Sequence, residues 1–199
     1  GKGSTIVVAA ADLYHQAPLW HLRVKEATER GAALLIVAEQ ESRLDRYAAQ
    51  VISCARGEAA QAVRRLKAKA GEMLEAAENL VVFFGQDGGA DLAQACAGLL
   101  GDRAGKPNNG LVGVWRRGNT QGAWELGFQP AGDLAKALHG RTVYIVAANP
   151  AREPQLAQAL KEAKFVAVQE LTLTETAAMA NVVLPAQAFT ERSGSFTSG

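Results

Sequence analysis

Short apolar runs rich in valine, isoleucine and leucine alternate along this chain with longer segments whose apolar residues recur every three or four positions. Runs without polar alternation are typical of strands buried on both faces, and the longer segments are typical of amphipathic helices. The predicted strands are 6–8, 34–37, 51–52, 80–84, 142–147, 165–168 and 182–184, and the predicted helices are 19–30, 57–77, 90–100, one near Pro154 and a short one near Thr172. Repeated strand–helix–strand units with short links predict an α/β fold with a doubly wound, mainly parallel, Rossmann-like sheet in three αβα layers.

Single residues mark the ends of several of these elements. Gly31 stands where a left-handed cap would end the helix 19–30. Pro154 falls in the first turn of a helix, where its missing N–H costs nothing, and Pro185 ends the last strand. Thr172 and Glu175 have the spacing of a capping box, which predicts that a short helix opens there.

The segment from Gly101 to Gly122 interrupts the alternation. It is rich in glycine and asparagine, and we expect it to form neither helix nor strand. Because a free loop would not expose large apolar residues without cause, we expect Trp115 and Trp124 to pack as apolar plugs over a cleft. The pattern therefore predicts a first Rossmann-like unit over 1–105, a connecting segment over 106–140 and a second α/β portion over 141–199.

Composition and charge narrow the classes of function. Of the 199 residues, 48% are hydrophobic and 21% charged, which excludes a disordered or collagen-like chain. The 21 basic and 20 acidic residues give a net charge of +1, so the chain has no field that would recruit nucleic acid or an anionic membrane. Its two cysteines predict neither a disulfide framework nor a metal site, and they indicate a reducing compartment. The absence of an initiator methionine leads us to expect a piece of a longer protein.

Little catalytic chemistry is visible in the sequence. His15, His21 and His139 have no second ligand at metal-binding spacing, and His21, next to Trp20 in a predicted helix, is expected to face solvent. The turn after the first strand contains no glycine, so its backbone could not closely approach a pyrophosphate. The run GQDGG at 85–89 is a weak phosphate-binding signal, for which a plain tight turn is the better explanation.

Several segments resemble, in order, parts of the molybdopterin oxidoreductases, such as formate dehydrogenase. The segment KPNNGLVGVWRRGNTQGAWELG at 106–127 resembles the family's stretch with an Asn-x-Gln-Gly core. PLWHLR at 18–23 resembles the family's first nucleotide-binding unit. ANP at 148–150 and VQELTLTETA at 168–177 resemble its NPA and LTETA motifs. NVVLP at 181–185 and FTERSGSFT at 189–197 resemble the segments that end the family's pattern. This resemblance covers nearly the whole chain.

The sequence pattern PNNGL…NTQGAWELG resembles in particular that of the large iron–sulfur subunits of bacterial NADH-quinone oxidoreductase, respiratory complex I. That resemblance implies a structural and docking module, with no catalytic residues of its own, in a machine that passes electrons from NADH to quinone. It implies iron–sulfur clusters in an N-terminal part outside this chain, and neither molybdopterin nor metal within it. It also implies that the partners are other complex I subunits, in the cytoplasmic peripheral arm and without direct membrane insertion.

Three departures from the family's nucleotide-binding pattern support a degenerate site. The chain has residues 10–18 in place of GSNPxExHP, AEQESR at 38–43 in place of DPRRTE, and ARGEA at 55–59 in place of RPGTD. Replacing arginine by glutamate beside a pyrophosphate exchanges attraction for repulsion. We therefore expect that at least one dinucleotide pocket has lost its function.

The rest of the family's pattern survives better, and it leaves two interpretations. The positions that match the family's pattern, and that would form a vestigial pterin pocket in this chain, are Asn119, Gln121, Gly122, Asn149, Thr174 and Glu175. Either they still bind a pterin, or they cap helix ends and connect loops, which is the interpretation we favour. The main alternative for the whole chain is a cofactor-binding segment of a true molybdopterin guanine dinucleotide oxidoreductase of the formate dehydrogenase type. A stand-alone NAD-binding protein is disfavoured by the glycine-free first turn.

Overall fold

A computed structural model of the chain describes residues 1–129, 131–195 and Thr197, which form two compact units. The first unit contains residues 1–122 together with Thr197, and the second contains the described residues from Ala123 to Ser195. The first unit extends beyond the predicted boundary at residue 105 because a fifth strand of its sheet follows that point. In the described ranges, no helix has both the length and the apolar character needed to cross a membrane.

The first unit is built on a five-stranded parallel sheet. Its strands are β1 (Ser4–Ala9), β2 (Ala33–Ala38), β3 (Gln50–Ser53), β4 (Asn79–Gly85) and β5 (Gly110–Val114), in the spatial order β3-β2-β1-β4-β5. The helices are α1 (Leu13–Gln16), α2 (Pro18–Glu29), α3 (Ala59–Arg64), α4 (Leu66–Glu75), α5 (Gly89–Leu100) and α6 (Thr120–Glu125), the last of which crosses the boundary between the units. This order places β1 at the centre, where the direction of winding reverses.

Two apolar cores lie on opposite faces of this sheet. Val7, Leu35 and Val82 are fully buried and belong to the core that contains α3, α4 and α5. Val8 and Phe83 belong to the other core, which contains residues of α1 and α2. Because neighbouring strand residues point to opposite faces, the apolar runs fill both cores, and the three αβα layers predicted for the fold are confirmed.

The second unit has a three-stranded parallel sheet of its own. Its strands are β6 (Thr142–Val146), β7 (Phe165–Glu170) and β8 (Val182–Pro185), in the order β6-β7-β8. Its further helices are α7 (Leu134–Leu138), α8 (Pro154–Lys161) and α9 (Glu175–Ala178). Leu138, Leu160 and Ala177, one from each helix, join Ile145 and Val168 of the sheet in a single core.

Most predicted elements are confirmed, with ends that differ by a few residues. The predicted end of α2 is confirmed in detail, since Gly31 has a φ of 91°. The N–H of Gly31 donates to the carbonyl of Thr28, and the N–H of Ala32 donates to that of Ala27, which together form a Schellman motif. The helix that begins at Pro154 is also confirmed.

Three local predictions are wrong. Residues 110–114 form β5, because β4 offers them a free edge with which to pair. The single helix over 57–77 is instead α3 and α4, which are separated at Arg65, and α4 is kinked at Ala70, where φ is −140° and ψ is 28°. The cap of α9 is Thr174 rather than Thr172, because the Oγ1 of Thr174 accepts the N–H of Ala177 at 3.2 Å.

The ends of β1 and β4 approach each other closely at the carboxyl edge of the first sheet. A Cβ atom at Gly85, the last residue of β4, would lie 1.9 Å from the carbonyl oxygen of Ala10, the residue that follows β1. The backbone conformation of Gly85, with φ −79° and ψ 147°, is one that any residue adopts. Glycine is therefore required here only because the Ala10 carbonyl comes so close. Ala10 has a φ of 48°, an uncommon conformation that directs its carbonyl toward β4.

We expect Gly85→Ala to lower the free energy of unfolding by about 3 kcal/mol or more, because the added methyl group collides with backbone. Gly98→Ala is the matched control, since Gly98 lies within α5 with nothing within 4 Å of the added Cβ. That substitution should stabilise the protein by about 0.5–1 kcal/mol through helix propensity. Urea unfolding followed by circular dichroism measures both changes. Equal stabilities for the two variants would contradict the close contact.

Candidate functional site

The carboxyl ends of β1, β2, β3 and β4 meet at one edge of the first sheet, since all these strands are parallel. In doubly wound sheets a nucleotide binds at this edge, in the crevice where the winding reverses, here between β1 and β4. This edge is therefore the candidate site of the first unit. Its loops follow Ala9, Ala38, Ser53 and Gly85.

The turn after β1 presents a carboxylate to the start of α1. Asp12 is the N-cap residue, and its Oδ1 accepts the N–H of Tyr14 at 3.1 Å. Its Oδ2 lies 2.6 Å from Nδ1 of His15. Partial burial raises the pKa of Asp12, but the hydrogen bonds from His15 and from the backbone outweigh this effect and hold the pKa below its ordinary value. The carboxylate thus takes the position where an anionic ligand would meet the helix N-terminus.

A second carboxylate connects the loops after β2 and β3. Glu39 is half-buried, and its Oε1 accepts the N–H of Gly57 at 2.8 Å. Burial raises the pKa of the nearby Cys54 thiol, and the charges of Glu39 and Glu58 raise it further. Glu39 therefore occupies a backbone donor of the loop after β3 that a phosphate could otherwise use.

The turn after β4 is also held by polar contacts, in this case with Arg116. The carboxylate of Asp87 pairs with the guanidinium of Arg116, and the Oε1 of Gln86 accepts the N–H of Arg116 at 3.3 Å. A Cβ at Gly88 would lie 2.2 Å from the Leu92 side chain, so close packing explains this glycine as well. The weak phosphate-binding signal at 85–89 corresponds to a tight turn onto α5.

His21 is buried beside this edge, contrary to the solvent-facing position expected from the sequence. Its side chain is only 7% exposed, and among the described residues its Nδ1 has no hydrogen-bond partner. The reason is that α1 packs against α2, which places the Tyr14 ring edge-on at 5.3 Å from the His21 ring. The guanidinium of Arg43 lies 3.8 Å from the centre of the same Tyr14 ring.

Three of the predicted pterin-pocket residues fasten the segment after β5. The amide of Asn119 exchanges two hydrogen bonds with Thr197, one through its backbone N–H at 3.2 Å and one through its Oδ1 at 2.8 Å. The Oε1 of Gln121 accepts the indole N–H of Trp115 at 3.1 Å. Gly122 lies close to Thr197, whose Oγ1 would be 3.0 Å from an added Cβ.

The two tryptophans of this segment differ in burial. Trp115 is half-buried and lines a small cavity together with Trp20 and Val114. Trp124 is 54% exposed, so the prediction that it acts as an apolar plug is wrong. The reason is that Trp124 lies on the short helix α6, after the chain has left the first sheet.

The other three predicted residues lie together in the second unit. The Nδ2 of Asn149 donates to Glu175 at 2.6 Å, and this hydrogen bond holds the pKa of Glu175 below its ordinary value. The Oδ1 of Asn149 accepts from both the N–H and the hydroxyl of Thr176, at 3.1 and 2.7 Å. Thr174 caps α9.

Thr176 is the central residue of this network, and the sequence pattern did not predict that role. It is fully buried, and its Oγ1 also accepts the N–H of Ala151 at 3.0 Å. The sequence does contain a signal for this role, which is the distance of Thr176 from the helix cap. Thr176 follows the true cap Thr174 by two residues and lies on the inner side of a short helix. The network connects the loops after β6 and β7.

Neither cysteine is placed for chemistry. Both are free thiols, and burial raises the pKa of Cys96 to about 12. Within residues 1–129, 131–195 and Thr197, no three His, Cys, Asp or Glu side chains are placed to hold a metal ion.

Comparison with known proteins gives one family over almost the whole chain. The profile of molybdopterin oxidoreductases matches residues 2–199. The chain belongs to the molybdopterin oxidoreductase family. Its sequence is 44% identical over 59 residues to the F420-dependent formate dehydrogenase subunit alpha of Methanocaldococcus jannaschii, which covers 28% of this chain and 9% of that protein. It is 27% identical over 149 residues to the F420-dependent formate dehydrogenase 2 subunit alpha of Methanococcus maripaludis, which covers 55% of this chain and 22% of that protein.

The family implies a molybdopterin guanine dinucleotide, whereas carboxylates of the first unit accept backbone N–H groups at the edge where its phosphates would bind. A dinucleotide needs room in the crevice and backbone donors for its phosphates. Here the Ala10 carbonyl contacts Gly85, and the carboxylates of Asp12 and Glu39 accept from the N–H groups of the loops. In the second unit, the polar side chains that match the family's pattern hydrogen-bond to one another.

We expect acid to destabilise the protein through His21. Burial lowers its pKa; the cations of Arg43, Arg46 and Lys25 lower it further, while Asp12 opposes the shift. Because the folded-state pKa lies below the unfolded value of about 6.5, this stability is present above pH 6.5 and is lost as the pH falls. Between pH 7 and 5 the wild type should lose more of its free energy of unfolding than His21→Phe, as measured by urea unfolding.

The exposed His139 supplies the control for this measurement, since His139→Gln should retain the wild-type loss. An identical pH dependence for His21→Phe and the wild type would exclude the proposed origin.

We expect the two tryptophans to respond differently to truncation. Trp115→Ala should cost about 2–3 kcal/mol, because it removes a half-buried ring and the hydrogen bond to Gln121. Trp124→Ala should cost no more than about 0.5–1 kcal/mol, because the ring is mostly exposed. Urea unfolding followed by circular dichroism compares them, and a larger loss for Trp124→Ala would refute the assignment.

Proposed function

We propose that this chain is a structural and docking module in the large subunit of an electron-transfer oxidoreductase, and that it binds no molybdopterin guanine dinucleotide itself. The observation that carries this proposal is the strand edge of the first unit, where carboxylates stand in place of phosphate-binding groups. Asp12 caps α1, Glu39 accepts from Gly57, and Asp87 pairs with Arg116. Because Asp12 and Glu39 accept the N–H groups of Tyr14 and Gly57, a pyrophosphate at this edge would have to compete with these carboxylates for backbone donors.

The first candidate for the parent protein is the large iron–sulfur subunit of NADH-quinone oxidoreductase. The departures from the family's nucleotide-binding pattern at 10–18, 38–43 and 55–59 support it, because such a subunit would carry its iron–sulfur clusters elsewhere and use this region as a scaffold. The partners of the chain would be other subunits of the respiratory complex, in its cytoplasmic peripheral arm. Electrons would pass from NADH to quinone without reaching these residues.

The second candidate is a cofactor-binding segment of a true molybdopterin guanine dinucleotide oxidoreductase of the formate dehydrogenase type. The two relatives favour this candidate, since both are formate dehydrogenase alpha subunits. The chain spans about a tenth and about a fifth of their lengths, so their activity applies to it only as a proposal. In this case Asn149, Thr174 or Glu175 would have to exchange hydrogen bonds within the chain for bonds to the pterin.

Analysis of the complete protein separates the two candidates. We expect mass spectrometry of the metals to find iron without molybdenum, and the protein complex to oxidise NADH with a quinone as acceptor. Stoichiometric molybdenum, a released pterin and formate oxidation would reverse the order of the two candidates.

A pair of glutamate variants tests the same point at the residue level. Glu175→Gln alters the Asn149 network, and Glu153→Gln changes an exposed glutamate at the start of α8. If no pterin binds, both variants should retain the metal content of the wild type. Loss of molybdenum in Glu175→Gln alone would support the second candidate.

A further inference from the structure

The sheet of the second unit has one face that no helix of the described residues covers. The side chains of Val143, Ile145, Val166 and Val168 point to the core that contains α7, α8 and α9. Alternation and register place the intervening residues on the other side, called here the open face. The open face consists of Thr142, Tyr144, Val146, Phe165, Ala167, Gln169, Val182 and Leu184.

The open face is both apolar and exposed. Tyr144 and Val146 of β6 are 57% and 51% exposed, whereas Ile145 between them is buried. On the edge strand β8, residues of both sides are exposed to a similar extent. The eight residues of the open face include no charged side chain, and the Tyr144 hydroxyl donates to the Oε1 of Gln169 among them. Such a contiguous apolar surface indicates a contact that is missing.

The topology explains why the face is bare. The connections from β6 to β7 and from β7 to β8 run through α8 and α9, both of which pack on the same side. Parallel sheets occur almost only with both faces covered, and the second face of a doubly wound sheet is covered by helices from a further stretch of chain. In the part of the chain that the structure describes, no helix occupies that position.

We propose that a segment of the same polypeptide, outside residues 1–199, covers the open face with the apolar side of a helix. This inference rests on the proposed function, in which the chain is part of a larger subunit. The relatives support it, because roughly four fifths or more of their lengths lie outside the aligned parts. The absence of charge favours an apolar helix of the same fold over a partner that is held by ion pairs.

Thiol labelling of the complete polypeptide tests the proposal. Ala167→Cys places a thiol at the centre of the open face, between Tyr144 and Val182 in the register. Lys161→Cys is the matched control, since Lys161 is exposed at the end of α8. A maleimide, read out by peptide mapping, should label Ala167→Cys at least about 100-fold more slowly than Lys161→Cys, and equally fast after denaturation.

Three other outcomes overturn the proposal. Equal labelling of both thiols in the folded polypeptide means that the face is open. Protection that disappears on dilution to the monomer means that a second copy covers it. Protection that disappears when the polypeptide is separated from its partner subunits means that another chain covers it.

Nitration of Tyr144 in the unaltered polypeptide gives the same answer without a substitution, and slow nitration is expected. Because neither measurement depends on molybdenum, failure of this inference is distinguishable from failure of the proposed function.

Discussion

The contact between Ala10 and Gly85 is the constraint on which the first unit depends. It joins the ends of the two central strands at the point where the winding of the sheet reverses. A related nucleotide-binding sheet keeps this crevice open for a ligand. Here the two strand ends meet closely, with Ala10 at a positive φ and Gly85 as the only residue type that fits.

The same principle extends to the polar residues that survive from the family's pattern. Gln121 holds Trp115, and Asn149 holds Glu175 and Thr176. A side chain that binds a cofactor in one member of a family can support a loop in another, since the hydrogen-bonding groups are the same. Membership of the molybdopterin oxidoreductase family therefore describes the fold of this chain, whereas its chemistry depends on which groups the loops leave available.

The second unit differs from the first, because one face of its sheet is not covered by a helix of the described residues. Its three strands are wound in one direction only, so the helices cover one face and leave the open face exposed. Backbone pairing between β6, β7 and β8 is satisfied by the chain itself, but only one of the two apolar faces of this sheet is buried. The winding of the strands therefore determines which face of this sheet is left open.

The sequence by itself determined the α/β class and the family. It also determined seven of the eight strands that the described residues form, and the glycine cap that ends α2. It could do so because apolar runs, glycine caps and motif order are local properties of the chain. It also predicts that the first turn does not bind a pyrophosphate, since that turn lacks glycine. Only the tertiary structure decided that residues 110–114 form a strand, that His21 is buried, and that Thr176 is central to the Asn149 network. Each of these depends on a neighbour that belongs to another element: the edge of β4, the ring of Tyr14 and the loop after β6. Such contacts leave no periodic trace in the chain, because they arise only when separate elements pack together.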